Sequence, residues 1–216
     1  ISCVYHSGCS LHAMTGDSLS GYAVEHMGPY VTGTEDLGMA CALGQSTGNL
    51  LMSYERVTDR PDKAGLFALI AAGMCSEMGA MEAELEYTRH LHAGRPVDAQ
   101  DARIKEKRAR MRTAHRFHRA YQRLVAAYGE PGGSCPELEE KEELLYLLGL
   151  SVGVQALLHD RASGGHVGVD MGLPMKIARA TQCVDNDRMW GMPNAVRAGV
   201  FGNSLLDIAR RFGEAD

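Results

Sequence analysis

Apolar residues recur at helical spacing along most of the chain, and no stretch alternates apolar and polar positions as a half-buried strand does. The clearest segment runs from Pro61 to Gly94. Pro61-Asp62 supplies a start signal, Gly94 a stop signal, and no proline lies between, which predicts one long helix. Two stripes run along it. Ala71, Met74, Met78, Met81 and Leu85 form one, and Gly65, Ala68, Ala72, Cys75 and Gly79 form the other. Together they make at least half the circumference apolar, so the helix is expected inside the fold. The small stripe admits a close backbone, and Gly44 and Gly48 in the preceding segment offer a matching small face. That leaves the methionine stripe to face either protein or an irregular apolar guest.

The same reading predicts helices over Asp17–Met27, broken at Gly28-Pro29, and over Leu37–Arg56, capped by Thr34-Glu35-Asp36. Others are expected over Asp98–Tyr128, ended by Gly129, and from the Ser134-Cys135-Pro136-Glu137 capping box to His159. The glycine-rich 163–168 stretch is expected to be a mobile connector. Helices over Leu173–Cys183, Pro193–Val200 and Ser204–Phe212 complete the pass. The expected fold is all-α: about eight helices stacked as antiparallel hairpins, a degenerate tetratricopeptide-like bundle without consensus repeats. Residues 1–14 are expected to form a flexible leader or tether and residues 15–216 a single helical domain.

The 216 residues suffice for a proper core, and a net charge of −5 gives no global field for nucleic acid. The longest uncharged run of the long helix, Ala64–Ser76, falls short of a bilayer's thickness, so a chain in solution or tethered by other means is expected. Six cysteines carry no metal-type CxxC pair. Cys41 and Cys75 lie on apolar faces and read as inert core residues; Cys135 and Cys183 sit beside loops and read as the bridge if one forms. Ile1-Ser2-Cys3 begins as a trimmed lipoprotein would, and Ser7-Gly8-Cys9-Ser10 offers the same chemistry, so Cys3 or Cys9 is the expected lipid anchor.

Chemistry-bearing motifs are sparse. The 98–128 helix carries Arg103, Lys105, Lys107, Arg108, Arg110, Arg112, Arg116, Arg119 and Arg123 opposite an intact apolar stripe, which suits a solvent face or anionic headgroups. Nine histidines include His115 and His118 on one helix, but the Glu-x-x-His tetrad of di-metal bundles and HExxH do not occur. GxSxG, GxxxxGK and a strand-borne GxGxxG are absent as well. No catalytic residue, metal or cofactor is expected, and the protein reads as a non-enzyme. Twelve methionines against four phenylalanines point to an adaptable apolar surface or interior, with Trp190 beside Met189 and Met192 as a second apolar cluster.

Two segments carry a family resemblance. Leu50-Leu51-Met52-Ser53-Tyr54-Glu55 through Pro61-Asp62-Lys63-Ala64-Gly65-Leu66-Phe67-Ala68-Leu69 resembles the hairpin of the T components associated with tripartite (TRAP) periplasmic transporters. Leu173-Pro174-Met175 through Asp185-Asn186-Asp187-Arg188-Met189-Trp190-Gly191 is similar to that family's late Leu-Pro helix, aspartate turn and tryptophan. The 163–168 loop, the cysteines and the basic helix depart from the family pattern. The resemblance implies a periplasmic, lipid-anchored helical protein with an apolar cavity. It includes the outer-membrane-associated component of a bacterial sterol transport system.

The resulting expectation is a lipid-binding carrier at the outer membrane that shields a sterol or related lipid between helices. Its expected apolar wall is Phe67, Ile70, Met74, Met78, Met81, Met171, Met175 and Trp190. An envelope transporter partner and membrane contact through the 98–128 helix are further expectations. The alternative is a helical-repeat adaptor that holds another envelope protein and takes no small ligand.

Overall fold

The computed structural model describes residues 11–56 and 62–213, and among these it is helical with no strand, as the hydrophobic pattern predicts. Residues 1–10, with Cys3 and Cys9, lie outside the described residues. Helix α1 (Leu11–Tyr22) begins inside the expected leader and passes through a π-type turn (Ala23–Met27) into α2 (Gly28–Thr32). The break predicted at Gly28-Pro29 is therefore a bulge. Pro29 falls in the first turn of α2, where its missing N–H costs nothing, and the π turn absorbs the register change.

Helix α3 (Leu37–Ser53) starts at Asp36, whose carboxylate accepts the Met39 N–H at 3.0 Å. Helix α4 (Asp62–His92) ends at Gly94, where φ is +66° and the Arg95 N–H reaches back to the His90 carbonyl at 3.1 Å. Helix α5 (Pro96–Tyr128) starts with proline in its first turn, two residues earlier than expected, and stops at Gly129.

Two expected boundaries are corrected. The capping box that opens the next helix is built by Glu139 and Glu142 around a 3₁₀ turn (Glu140–Glu142), followed by α6 (Glu143–Ser163). Cys135, placed in that box by the sequence, instead bonds to Cys183 at the end of the 3₁₀ turn (Thr181–Cys183) that follows α7 (Leu173–Ala180). The two terminal helices expected after Pro193 are one, α8 (Met192–Gly213). Gly199 and Gly202 lie within it, each at a cost of only about 1 kcal/mol relative to alanine.

Helix α4 is the axis of the fold. Helix α5 returns along it, α3 packs on a second flank, and α6 packs against α5 while running parallel to α4, as the Lys63–Glu142 and Glu77–His159 contacts require. The small stripe of α4 does what its composition predicts. A Cβ on Gly44 would lie 2.5 Å from the Ala71 Cβ and 2.9 Å from the Ala72 nitrogen, so only glycine permits this crossing. The same close approach brings Cys41 and Cys75 to a Cα–Cα distance of 5.3 Å, where they form a disulfide rather than inert core residues.

The main core gathers Leu66 and Ile70 of α4, Phe117 and Leu124 of α5, Tyr146, Leu147 and Leu150 of α6, and Ile177 of α7. Helix α4 is long and apolar enough to cross a membrane by length and composition, unlike the sequence-based expectation drawn from its uncharged run. In this fold 56% of its most apolar window is buried by the other helices, which makes it the core helix.

Candidate functional site

Helices α1 and α2 lie across the first turns of α4 and the start of α6 and leave a half-open cleft of about 880 Å³ between them. Its apolar wall comes from Val24, Pro29, Ala64, Phe67, Leu144, Leu145 and Leu148. Glycine shapes the α1 side. A Cβ on Gly21 would meet no heavy atom within 4 Å, so this residue looks into open space, whereas one on Gly28 would touch the Phe67 ring at 3.7 Å.

The lining also carries charged groups. Asp17, Glu25, Glu139 and Glu142 face two ammonium groups, Lys63 and Lys141, so the rim is net acidic by two charges. Lys63 is bonded to the Glu142 carboxylate and stands 5.3 Å from the centre of the Tyr128 ring. Burial, and then the Glu142 charge, push the Tyr128 hydroxyl well above its ordinary range. At the outer rim Lys141 pairs with Glu139 at 3.1 Å, and the hydrogen bond it donates to that carboxylate raises the lysine's pKa. Ser20 is the informative member. It is 9% exposed, it lines the cleft, and its Oγ has no hydrogen-bond partner among the described residues. A buried hydroxyl left unpaired costs about 1–3 kcal/mol unless something binds it.

The structure does not bring the eight sequence-predicted wall residues together. Phe67 lines the cleft. Ile70 is buried in the main core. Met74, Met78 and Met81 are 51%, 42% and 59% exposed, and Met171 and Met175 are exposed as well. Trp190 is 82% exposed, on a turn where its φ is +49° and its N–H donates to the Asp187 carbonyl at 3.2 Å. The reason for the methionines lies in the register of α4. Phe67, Met74, Met78, Met81 and Leu85 share one face, but α1 and α2 cover only its first turns, so the face emerges into solvent beyond Phe67.

Periodicity missed Ser20, Val24, Lys63, Glu142 and the Leu144–Leu148 wall. The available signals were a lysine at the head of an apolar helix and the paired Glu142-Glu143 before an apolar run.

Away from the cleft, a buried His159 bonds Glu77 at 3.1 Å, beside Phe117. Burial lowers the pKa of the nearby His118 against the opposing pull of Asp160. Among the described residues no group of three or more His, Cys, Asp or Glu is placed to hold a metal ion. The 163–168 loop, expected to be mobile, is tied down: the carboxylate of buried Asp160 accepts the backbone N–H groups of Val167, Gly168 and Val169 at 2.8–3.0 Å.

The fold and cleft define a helical bundle with an apolar-walled recess that carries charged groups among its lining residues. Comparison with protein-family models, with curated proteins and with solved structures finds no match.

Proposed function

We propose that this protein is a non-enzymatic carrier that shields a sterol or related lipid in the cleft between α1–α2, α4 and α6, working at the periplasmic side of an outer membrane. The observation that supports this most is the cleft itself: about 880 Å³, walled by Val24, Phe67, Leu144, Leu145 and Leu148, with a smaller set of polar groups among its lining residues. That size lies within the range of small-molecule pockets, and mainly apolar walls with a few polar groups suit a ligand with a large apolar body. Each 100 Å² of apolar ligand surface removed from water contributes about 2.5 kcal/mol before ordering costs. The acidic rim favours a neutral hydroxyl over a carboxylate. The periplasmic and lipoprotein parts of this reading rest on the transporter-family resemblance and on Cys3 or Cys9 as anchor. The test is equilibrium binding of purified protein to a sterol and to a long-chain fatty acid. Saturable sterol binding, stronger than that of the acid, is expected; no saturable binding to either overturns the carrier reading.

A second reading is supported by the exposed Met74, Met78, Met81 and Leu85 face, since a contiguous, repackable apolar surface suits a protein partner. An adaptor of this kind would capture an envelope protein after delipidation and lose it on Met78→Lys with Met81→Lys.

A further inference from the structure

The structure sorts the nine cations of α5 into two groups. Arg103 and Arg110 hold buried Glu106, with Arg110 also reaching Glu84 at 2.7 Å, and Lys105 pairs with Glu86 at 3.3 Å. Arg116 donates to the Ala72 carbonyl at 2.9 Å, and Arg123 bridges Glu55 and Asp62 at 2.7 and 3.1 Å. With Arg103 also 5.1 Å from the centre of the Tyr87 ring, these five knit α5 to α4 and to the turn that follows α3. The other four, Lys107, Arg108, Arg112 and Arg119, are exposed and have no carboxylate within ion-pair distance among the described residues.

Three of them are aligned. Arg108, Arg112 and Arg119 fall at i, i+4 and i+11, with exposed His115 between them, so they form a straight ridge about 16 Å long on the side of α5 turned away from α4 and α6. Half-exposed Ile104 and partly buried Met111 border its first half, and Asp101, two turns before Arg108, is the one acid on this face of the helix. A chain of net charge −5 thus keeps an uncompensated cationic edge.

We propose that this ridge is a docking surface for an anionic lipid membrane. A straight row of guanidinium groups on a convex helix meets a plane of phosphates along its whole length, and Ile104 adds a shallow apolar contact. A nucleic-acid site is the weaker match, because no Phe, Tyr or Trp stands on the ridge to stack a base and the overall charge repels a polyanion. The inference does not depend on what the cleft binds.

The experiment uses the full chain and two vesicle preparations, phosphatidylcholine alone and phosphatidylcholine with roughly a quarter phosphatidylglycerol. Sedimentation with the anionic vesicles only, abolished by about 0.5 M salt, is expected. Each ridge arginine near the lipid surface contributes about a fivefold gain in partitioning, so Arg108→Gln with Arg112→Gln and Arg119→Gln should lose on the order of a hundredfold. A control with the same charge change elsewhere, Arg89→Gln with Arg95→Gln and Arg197→Gln, should stay within a few-fold of the parent. Circular dichroism verifies that both variants keep their helix content. Equal capture by neutral vesicles, equal loss in the two variants, or tighter binding to duplex DNA than to the anionic vesicles would overturn the proposal.

Discussion

Filling the cleft from a position that the fold leaves vacant separates binding from folding. Gly21 lies on α1, lines the cleft, and has no heavy atom within 4 Å of where a Cβ would stand. The Cβ of Gly21→Trp therefore meets no clash, its indole has the open cleft to enter, and the change relieves a helical glycine, which is worth about 0.5 kcal/mol of added stability. The indole occupies space that an apolar ligand would otherwise use. A tryptophan covers about 150 Å² or more, and excluding that much ligand contact costs roughly 4 kcal/mol at 25 cal/mol per Å². Affinity should fall by close to a thousandfold. The assay is sterol titration of parent and variant, with thermal unfolding followed in parallel. A variant that melts no lower than the parent but binds sterol within threefold of it would refute the placement of the ligand in this cleft.

The remaining predictions concern the frame around the cleft. Replacing Cys41 and Cys75 by serine opens a 34-residue cross-link and should lower stability by about 3–4 kcal/mol on the chain-entropy estimate, read from denaturant midpoints. Asp160→Ala strips three backbone N–H groups of their acceptor and should cost about 3 kcal/mol or more, with faster proteolysis at 163–168; Asp160→Asn should recover part of this. Burial raises the hydroxyl pKa values of Tyr121, Tyr128 and Tyr146 above the ordinary value of about 10. The unfolded chain then ionises first, so this contribution is fully present below about pH 10 and is lost as pH climbs toward the folded-state values. Denaturant melts on either side of that pH, with phenolate absorbance recorded, should show stability falling as tyrosine ionises; unchanged stability would contradict the burial of these hydroxyls.

Much of the frame was legible because its signals are local. Asp36 as a cap, Gly94 and Gly129 as stops, and the small stripe facing Gly44 each act within a few residues or along one helical face. The loop setting of Cys135 and Cys183 singled them out as the pair to bond if a bridge formed, though not that it forms. Cys41–Cys75 was not, because an apolar stripe hides a cysteine as well as any small residue until the depth of the helix crossing is known. The start of α6 was misplaced because Ser134-Cys135-Pro136-Glu137 has the composition of a cap while its cysteine is held by a distant partner.

The candidate site was the least legible part. The methionine stripe shows which face of α4 is apolar, but the length over which α1 and α2 cover that face depends on how they lie across it. Helical periodicity carries no information on that placement. Phe67, at the covered end, is where the two accounts meet.

Photoaffinity labelling with a photoactivatable sterol, mapped by mass spectrometry, tests the central claim most directly. The account predicts saturable labelling of Val24, Phe67 and the Leu144–Leu148 wall, lost in Gly21→Trp. Labelling confined to Met74, Met78 and Met81, or to Met171, Met175 and Trp190, or no saturable labelling at all, would contradict it.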